Sequence, residues 1–565
     1  MRKLLFWFGA TLFCLALTTH AQVIPPAPNP EVGSPQPATA DPKVPRPHTT
    51  PCVVQLFQNL EFADFTAKTF SYTPPSACHA PWAKVVFTAD FTVTEGRQFD
   101  RTASFYLGHA NIYYGTTAEP SSTVSPSWHV ERDVTDLSAI FKSPQSGEAD
   151  LGNFVGTYDG VVYNGIIYAD AALEFYPASF FAPAPETPDL VVPMPDAEGG
   201  AATLNTTSSQ LAQPVTLPTN VERVYLDVIT QSQIGDEFWY TCVPNNVANE
   251  LESCGNTAFR EAEISIDDQP AGVAPVYPWI YTGGIDPYLW APIPGVQTFD
   301  FVPYRVDLTP FAGLLSDGNQ HTVALSVYNA NGYFLATANL LVYTDHGSKK
   351  VTGGILSNNL AAAPSPVVTE HLTTAKNGDI TGTVSVTSTR NYKITGYLNT
   401  SHGKIETTAG QIIQFSNTQN FQITAAAYVQ DIHQSTTTSS ESATKNGPVV
   451  QDTLKRFEYP LILDYSALTS STGTTAVTTT VQQSDIAGTD ETLNGFPIYS
   501  GNLLNEVNST DTLNFDASGN FTGTSSRDSS QRYVAVDSLG YCYDRAITSA
   551  SGLLTSVKND GCPGH

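Results

Sequence analysis

Residues 82–93 read Trp-Ala-Lys-Val-Val-Phe-Thr-Ala-Asp-Phe-Thr-Val. Val85, Phe87, Ala89, Phe91 and Val93 occupy one parity, and Lys84, Thr88, Asp90 and Thr92 the other. Side chains of a strand alternate between two faces, so this pattern predicts a half-buried β-strand. The same period returns at Val323, Leu325 and Val327, at Val384 and Val386, and at Ile394 and Leu398. Turn residues separate short segments at the spacing of sandwiches, and convincing helical patterns are few. The expected fold class is all-β, built from sandwiches of the jelly-roll kind.

Outward from that strand, prolines punctuate the chain. Residues 22–50 read as a Pro-rich, flexible leader. A second break covers 177–200, where Pro177, Pro183, Pro185, Pro188, Pro193 and Pro195 alternate with small and acidic residues, and a third covers 346–369. They delimit expected domains at 51–176, 201–345 and 370–565, the last a β-rich region with a structural or carbohydrate-binding role. At the N-terminus, Arg2 and Lys3 precede an apolar run from Leu4 to Leu17, with a small residue at Ala21. This predicts a signal peptide over 1–21 and an exported protein, periplasmic or secreted, with no membrane association after cleavage.

Of seven cysteines, Cys14 lies in that segment. Cys52, Cys78, Cys242, Cys254, Cys542 and Cys562 remain, an even count that reads as disulfides in an exported chain. Proximity favours 52–78, 242–254 and 542–562. The formal charge of −27 argues against nucleic acid and anionic membranes as partners.

No GxSxG elbow, HExxH motif, phosphate loop or dinucleotide fingerprint occurs, and the 11 histidines lack metal-ligand spacing. Carboxylate chemistry remains, and four contexts carry it. In Gly96-Arg97-Gln98-Phe99-Asp100-Arg101, a regular strand puts Asp100 between two guanidiniums that would keep it ionised. Gly235-Asp236-Glu237-Phe238-Trp239-Tyr240 sets two carboxylates beside three aromatics, either a sugar platform or a strand end. Glu119 stands in a turn before Pro120, and Phe259-Arg260-Glu261, the fourth, could equally be a cross-strand ion pair. Downstream, Tyr281-Thr282-Gly283-Gly284-Ile285-Asp286-Pro287-Tyr288-Leu289-Trp290 is a glycine-rich loop ending on an aromatic.

Taken in order, Cys52…Tyr72-Thr73-Pro74-Pro75…Cys78, GRQFDR, Leu107-Gly108, TAEP, Leu151-Gly152-Asn153, DEFWY, FRE and GGIDPYLW resemble the peptide:N-glycanase A family. The resemblance covers about residues 50–345 and persists more weakly beyond. It implies hydrolysis of the amide between an asparagine side chain and the proximal N-acetylglucosamine of an N-glycan. It also implies two adjacent jelly rolls, as in the similar flavobacterial F-type glycanase, with the site between them. N-glycosylated peptides or proteins would be the substrates, no metal or organic cofactor is expected, and the chain is expected to be a monomer.

The F-type enzyme's essential aspartate stands in a Trp-Asp-Arg context, matched here by Phe99-Asp100-Arg101. Its two glutamates are not retained: their neighbourhoods hold Asn153 and Gly255-Asn256. The expected catalytic set is therefore Asp100 with Glu237 or Glu119. Asp100 would activate water and Glu237, kept protonated by its aromatic surroundings, would donate to the leaving nitrogen. Arg97, Arg101, Trp239, Tyr240, Arg260, Glu261 and Trp290 are the expected substrate-binding residues, with Trp239 and Trp290 stacking on sugar rings. A glycan-binding module without catalysis and a two-carboxylate glycosidase remain open at this point.

Overall fold

The alternating stretch becomes the strand Trp82–Val93, with Val85, Phe87, Ala89, Phe91 and Val93 all buried. In the computed structural model, which describes residues 30–559 and 561–562, this strand lies in a sheet ordered Cys52–Phe62, Ile167–Pro177, Trp82–Val93, Ser127–Asp133. A second sheet of Lys68–Tyr72, Gln145–Asp150, Thr102–Leu107 and Ala110–Thr116 closes the sandwich over a core of Phe87, Phe91, Phe105 and Tyr113. The second sandwich pairs a sheet built on Tyr333–Thr344 and Val221–Gln233 with one built on His321–Tyr328 and Glu261–Ile266. The expected signal peptide over 1–21 lies outside the described residues. Among the described residues, no helix is long and apolar enough to cross a membrane.

Adjacent packing of the two sandwiches rests on polar bridges. The Asn339 side chain accepts from the Asn111 N–H (3.2 Å) and donates to the Asn111 carbonyl (2.9 Å), the Tyr114 hydroxyl donates to Gln231 Oε1 (2.8 Å), and the Tyr113 hydroxyl donates to the Phe299 carbonyl (2.6 Å). Buried polar groups paired this way fix register between the two bodies.

Beyond them, a meander of long antiparallel strands, from Thr352–Asn358 and Ile380–Thr400 to Leu553–Lys558, forms one 11-stranded sheet. Its inward residues Ile394, Ile413, Phe415, Leu461 and Val481 join the second sandwich's hydrophobic core. Amide side chains on that face hold the sandwich's loops. Asn417 donates to the Tyr240 carbonyl (2.9 Å), Gln419 to Cys242 (2.9 Å) and Gln483 to Pro278 (2.7 Å). The sheet is thus a wall of the second sandwich.

The segments between the expected domains differ from their reading as linkers. Leu190–Met194 pairs with Tyr333–Thr344 as an edge strand, where Pro193 costs no ladder bond. Thr352–Asn358 and Val367–Thr374 both pair with Ile380–Thr400. Residues 30–50 are an extended strap and not a flexible leader. Its Gly33 N–H donates to the Leu554 carbonyl, Asp41 accepts from Asn505 and Gln531, and Arg46 pairs with Glu131 and Glu174. Prolines suit such a strap because they preset an extended backbone. The disulfides are Cys52–Cys78, Cys242–Cys254 and Cys542–Cys562, as proximity favoured, and fit an oxidising compartment.

These interfaces bury carboxyls. Burial pushes Asp41, Asp300 and Asp485 up to about 6, and Glu261 up to about 8. A carboxyl raised on folding contributes stability that is complete below its unfolded pKa of about 4 and lost as pH rises through its folded value. The window of loss therefore runs from about 4 to 8. We expect the melting temperature to fall by about 5–10 °C between pH 5 and pH 8.5, from several kcal/mol spread over so long a chain. Scanning calorimetry across that range checks this, and a rising melting temperature contradicts it.

Candidate active site

The hairpin Thr102–Leu107 and Ala110–Thr116 pairs Thr102 with Thr116. Just past this pairing, Arg101 N–H donates to Thr117 Oγ1 and Thr117 N–H to the Arg101 carbonyl, both at 2.9 Å. Asp100 follows one step along the first arm and Glu119 two steps along the second, and the Asp100 N–H donates to Glu119 Oε1 at 3.1 Å. Two carboxylates separated by 18 residues thus meet because a hairpin folds them together.

Gly283 comes from the second sandwich to meet them. The Thr282 hydroxyl donates to the Thr117 carbonyl at 2.6 Å, pinning the glycine loop to the hairpin. A methyl group on Gly283 would lie 2.3 Å from Glu119 Oε1 and 2.8 Å from Asp100 Oδ1. Only the absence of a side chain there lets both carboxylates approach the backbone.

Glu237 supplies the third carboxyl from a turn following Val221–Gln233. Asp236, fully buried, anchors that turn. Its Oδ1 accepts from Arg260 Nε and Nη2 (3.0 and 2.7 Å), and its Oδ2 accepts from the Asn331 and Gly332 N–H groups (2.7 and 2.6 Å). DEFWY and FRE are therefore two halves of one clamp. Arg260 pairs with Asp236 so that Glu237 is presented and Trp239 and Tyr240 are pulled inward.

Burial raises all three carboxyls. Asp100 is pushed up to about 6, opposed by the Gly283 N–H and by the Arg101 charge. Glu119 rises to about 7 through burial and then through the charge of Asp100, and Glu237 rises to about 7 for the same two reasons. Near neutral pH, Glu119 and Glu237 keep their protons more readily than Asp100 does.

Several expected roles change. Residues 97–101 are irregular and not a strand, so Asp100 is not clasped between Arg97 and Arg101. The Arg101 guanidinium instead donates to Gln98 Oε1 (3.0 Å) and lies near the rings of Phe65 and Phe99. Arg97 is exposed, with its guanidinium over Tyr163. Its charge reaches Glu119 only through space. Trp239 is 0% and Trp290 3% exposed, so neither has a face to offer a sugar. Trp239 and Tyr240 pack on each other, Trp239 against Phe415, and Trp290 Nε1 donates to the Gly284 carbonyl. Arg260 and Glu261 are also buried, the latter beside Arg390 of the long sheet (3.5 Å). Asn153 donates to the Phe62 and Gly165 carbonyls as a bracket between loops.

The residues alone marked the glycine-rich loop but gave no role to its Gly283 or Tyr281, and they missed an aromatic rim. Tyr281 is buried, bonds the Ser232 carbonyl, and senses the charges of both Glu237 and Asp100. The rim consists of Phe65 (68% exposed), Phe99 (50% exposed) and the half-buried Tyr163, whose ring is 5.1 Å from that of Phe99. The paired glycines 283–284 were the available signal for the first of these.

Among the described residues, one trio of possible metal donors converges, Glu222, Asp345 and His402. Asp345 there already accepts from Ser401 and from the Gly347 N–H, so its carboxylate serves a turn.

Residues 37–361 match the profile of the family described as peptide N-acetyl-beta-D-glucosaminyl asparaginase amidase A, and residues 383–461 match that of the PNGase A C-terminal domain. The peptide-N4-(N-acetyl-beta-glucosaminyl)asparagine amidase A of Prunus dulcis is 31% identical over 392 residues, 66% of this chain and 67% of its own length. Among solved structures, PNGase F, a glycosylasparaginase from Flavobacterium meningosepticum, aligns with 52% of this chain and 96% of its own. The identity is 13% and the TM-score 0.35. PNGF-II aligns with the same share of this chain at 12% identity and a TM-score of 0.34, and the match spans 65% of its length.

Proposed function

Because the chain belongs to the peptide N-acetyl-beta-D-glucosaminyl asparaginase amidase A family, we propose that it hydrolyses the asparagine–N-acetylglucosamine amide of N-glycans at the Asp100–Glu119–Glu237 centre. The observation that carries this assignment is the meeting of Asp100 and Glu119 over Gly283, with Glu237 within electrostatic reach.

An amide needs a nucleophile at its carbon and a proton for its nitrogen. Two carboxyls sharing one glycine do not both ionise, and the one with the lower pKa gives up its proton first. Asp100 is therefore the base that takes a proton from water as the oxygen attacks the carboxamide carbon. Glu119 keeps its proton and steadies Asp100 through the backbone bond. Glu237 donates its proton to the departing nitrogen. The products are an aspartate in the peptide and a glycosylamine, which loses ammonia in water.

The test is mass spectrometry of a defined N-glycopeptide after incubation. The expected product is a peptide in which asparagine has become aspartate. An intact glycopeptide, or a peptide keeping one N-acetylglucosamine, would sink the assignment.

The pH profile follows from the raised carboxyls. kcat/KM should rise as Asp100 ionises near pH 6 and fall as Glu237 loses its proton near pH 7, both limbs belonging to the coupled trio. Glu237→Gln should cost about 100-fold in kcat/KM and flatten the alkaline limb. A Gln variant retaining full activity would remove Glu237 from the mechanism.

A further inference from the structure

A groove of about 500 Å³ borders the segments that carry Glu237 and Gly283. One wall carries Phe238, the residue after Glu237, and Ile285, two residues beyond Gly283. A second wall is the loop closed by Cys242–Cys254, which brings Glu252 to the rim with its side chain exposed. The floor belongs to the long sheet, through Tyr428 and Gln430 on Ala427–Asn446 and Tyr465 on Val449–Thr469.

The floor is tied to the walls. The Tyr428 hydroxyl donates to the Leu251 carbonyl (3.1 Å), and Gln430 donates to the Thr241 carbonyl (3.2 Å). Tyr428 and Tyr465 meet edge to face, with centroids 5.9 Å apart, and both rings stay half-buried. The groove is thus a preformed cleft in the size range of small-molecule sites, shared between the sheet and the two loops that serve catalysis.

We propose that this groove binds the sugar arms of the N-glycan beyond its proximal N-acetylglucosamine. The proposal rests on the amidase assignment. The leaving nitrogen carries the sugar, and Glu237 is the group that protonates that nitrogen. The glycan therefore departs on the Glu237 side, where Phe238 opens the groove.

The chemistry of the lining favours a sugar over a peptide. Ala427–Asn446 and Val449–Thr469 are interior strands, each paired along both edges. They have no free backbone edge for an extended peptide to join. Recognition falls to side chains: half-exposed rings that accept the C–H face of a pyranose, and the exposed Glu252 carboxylate that bonds hydroxyls.

The experiment compares one peptide carrying an intact branched glycan with the same peptide carrying a single N-acetylglucosamine. Wild type, Tyr465→Ala and Glu252→Asn are assayed on both, asparagine being tolerated at the positive φ of residue 252. In each variant, KM for the intact glycan should rise about 10-fold, with values for the truncated substrate within about twofold of wild type. Equal losses on both substrates, a loss that follows peptide length, or no loss on either would overturn the groove's role. If wild type turns over neither substrate, the amidase assignment fails instead. Calorimetric titration with the free glycan then decides the groove: binding to wild type that weakens in Tyr465→Ala supports it, and equal or absent binding overturns it.

Discussion

Asp100→Asn should lower kcat/KM by about 10³- to 10⁴-fold with little change in KM. The asparagine side chain has the same shape, so its oxygen still accepts from the Gly283 N–H, but it no longer removes a proton from water. The same change should stabilise the fold at alkaline pH. Asp100 is a carboxyl that burial raises to about 6, so above that pH the folded protein carries a charge it disfavours. An amide removes that cost, and the variant's melting temperature at pH 8.5 should equal or exceed that of wild type. Loss of activity with a gain in stability is the signature of a functional group held against its preference. A variant keeping a tenth of wild-type activity would show that another group activates the water.

Gly283→Ala should cost about 100-fold or more while leaving the fold intact. The added methyl would meet Glu119 Oε1 at 2.3 Å and Asp100 Oδ1 at 2.8 Å, distances that real Cβ atoms do not show. Both obstacles are ends of side chains, so they move and the backbone stays. A displacement near 1 Å at the reacting groups is enough for a loss of that size. The readouts are kcat/KM and the melting temperature together. Wild-type activity in Gly283→Ala would mean the two carboxyls need not converge on this backbone. Unfolding would mean the loop, and not the centre, requires the glycine.

Parts of this centre are legible in a linear reading. Asp100 and Glu119 straddle a hairpin whose turn is Leu107-Gly108-His109-Ala110, and antiparallel register then places them together. Glu237 sits beside Phe238, which remains at a surface. Other parts are not legible. Asp236 and Glu237 are adjacent carboxylates of similar chemistry. One is an ion-paired anchor and the other a candidate acid only because Arg260, 24 residues away, reaches back to the first.

Period two in the side chains and an even set of closely spaced cysteines were enough to determine an all-β, disulfide-linked chain, because strand alternation and short loop closure are local properties. Which aromatic rings stay at the surface was decided elsewhere. Trp239, Tyr240 and Trp290 vanish into a core completed by the long C-terminal sheet, and Phe65, Phe99 and Tyr163 are left at the surface. A residue's type sets how much it gains from burial, but the surface that buries it comes from strands more than a hundred residues distant. Only the assembled sandwiches and their covering sheet specify that surface.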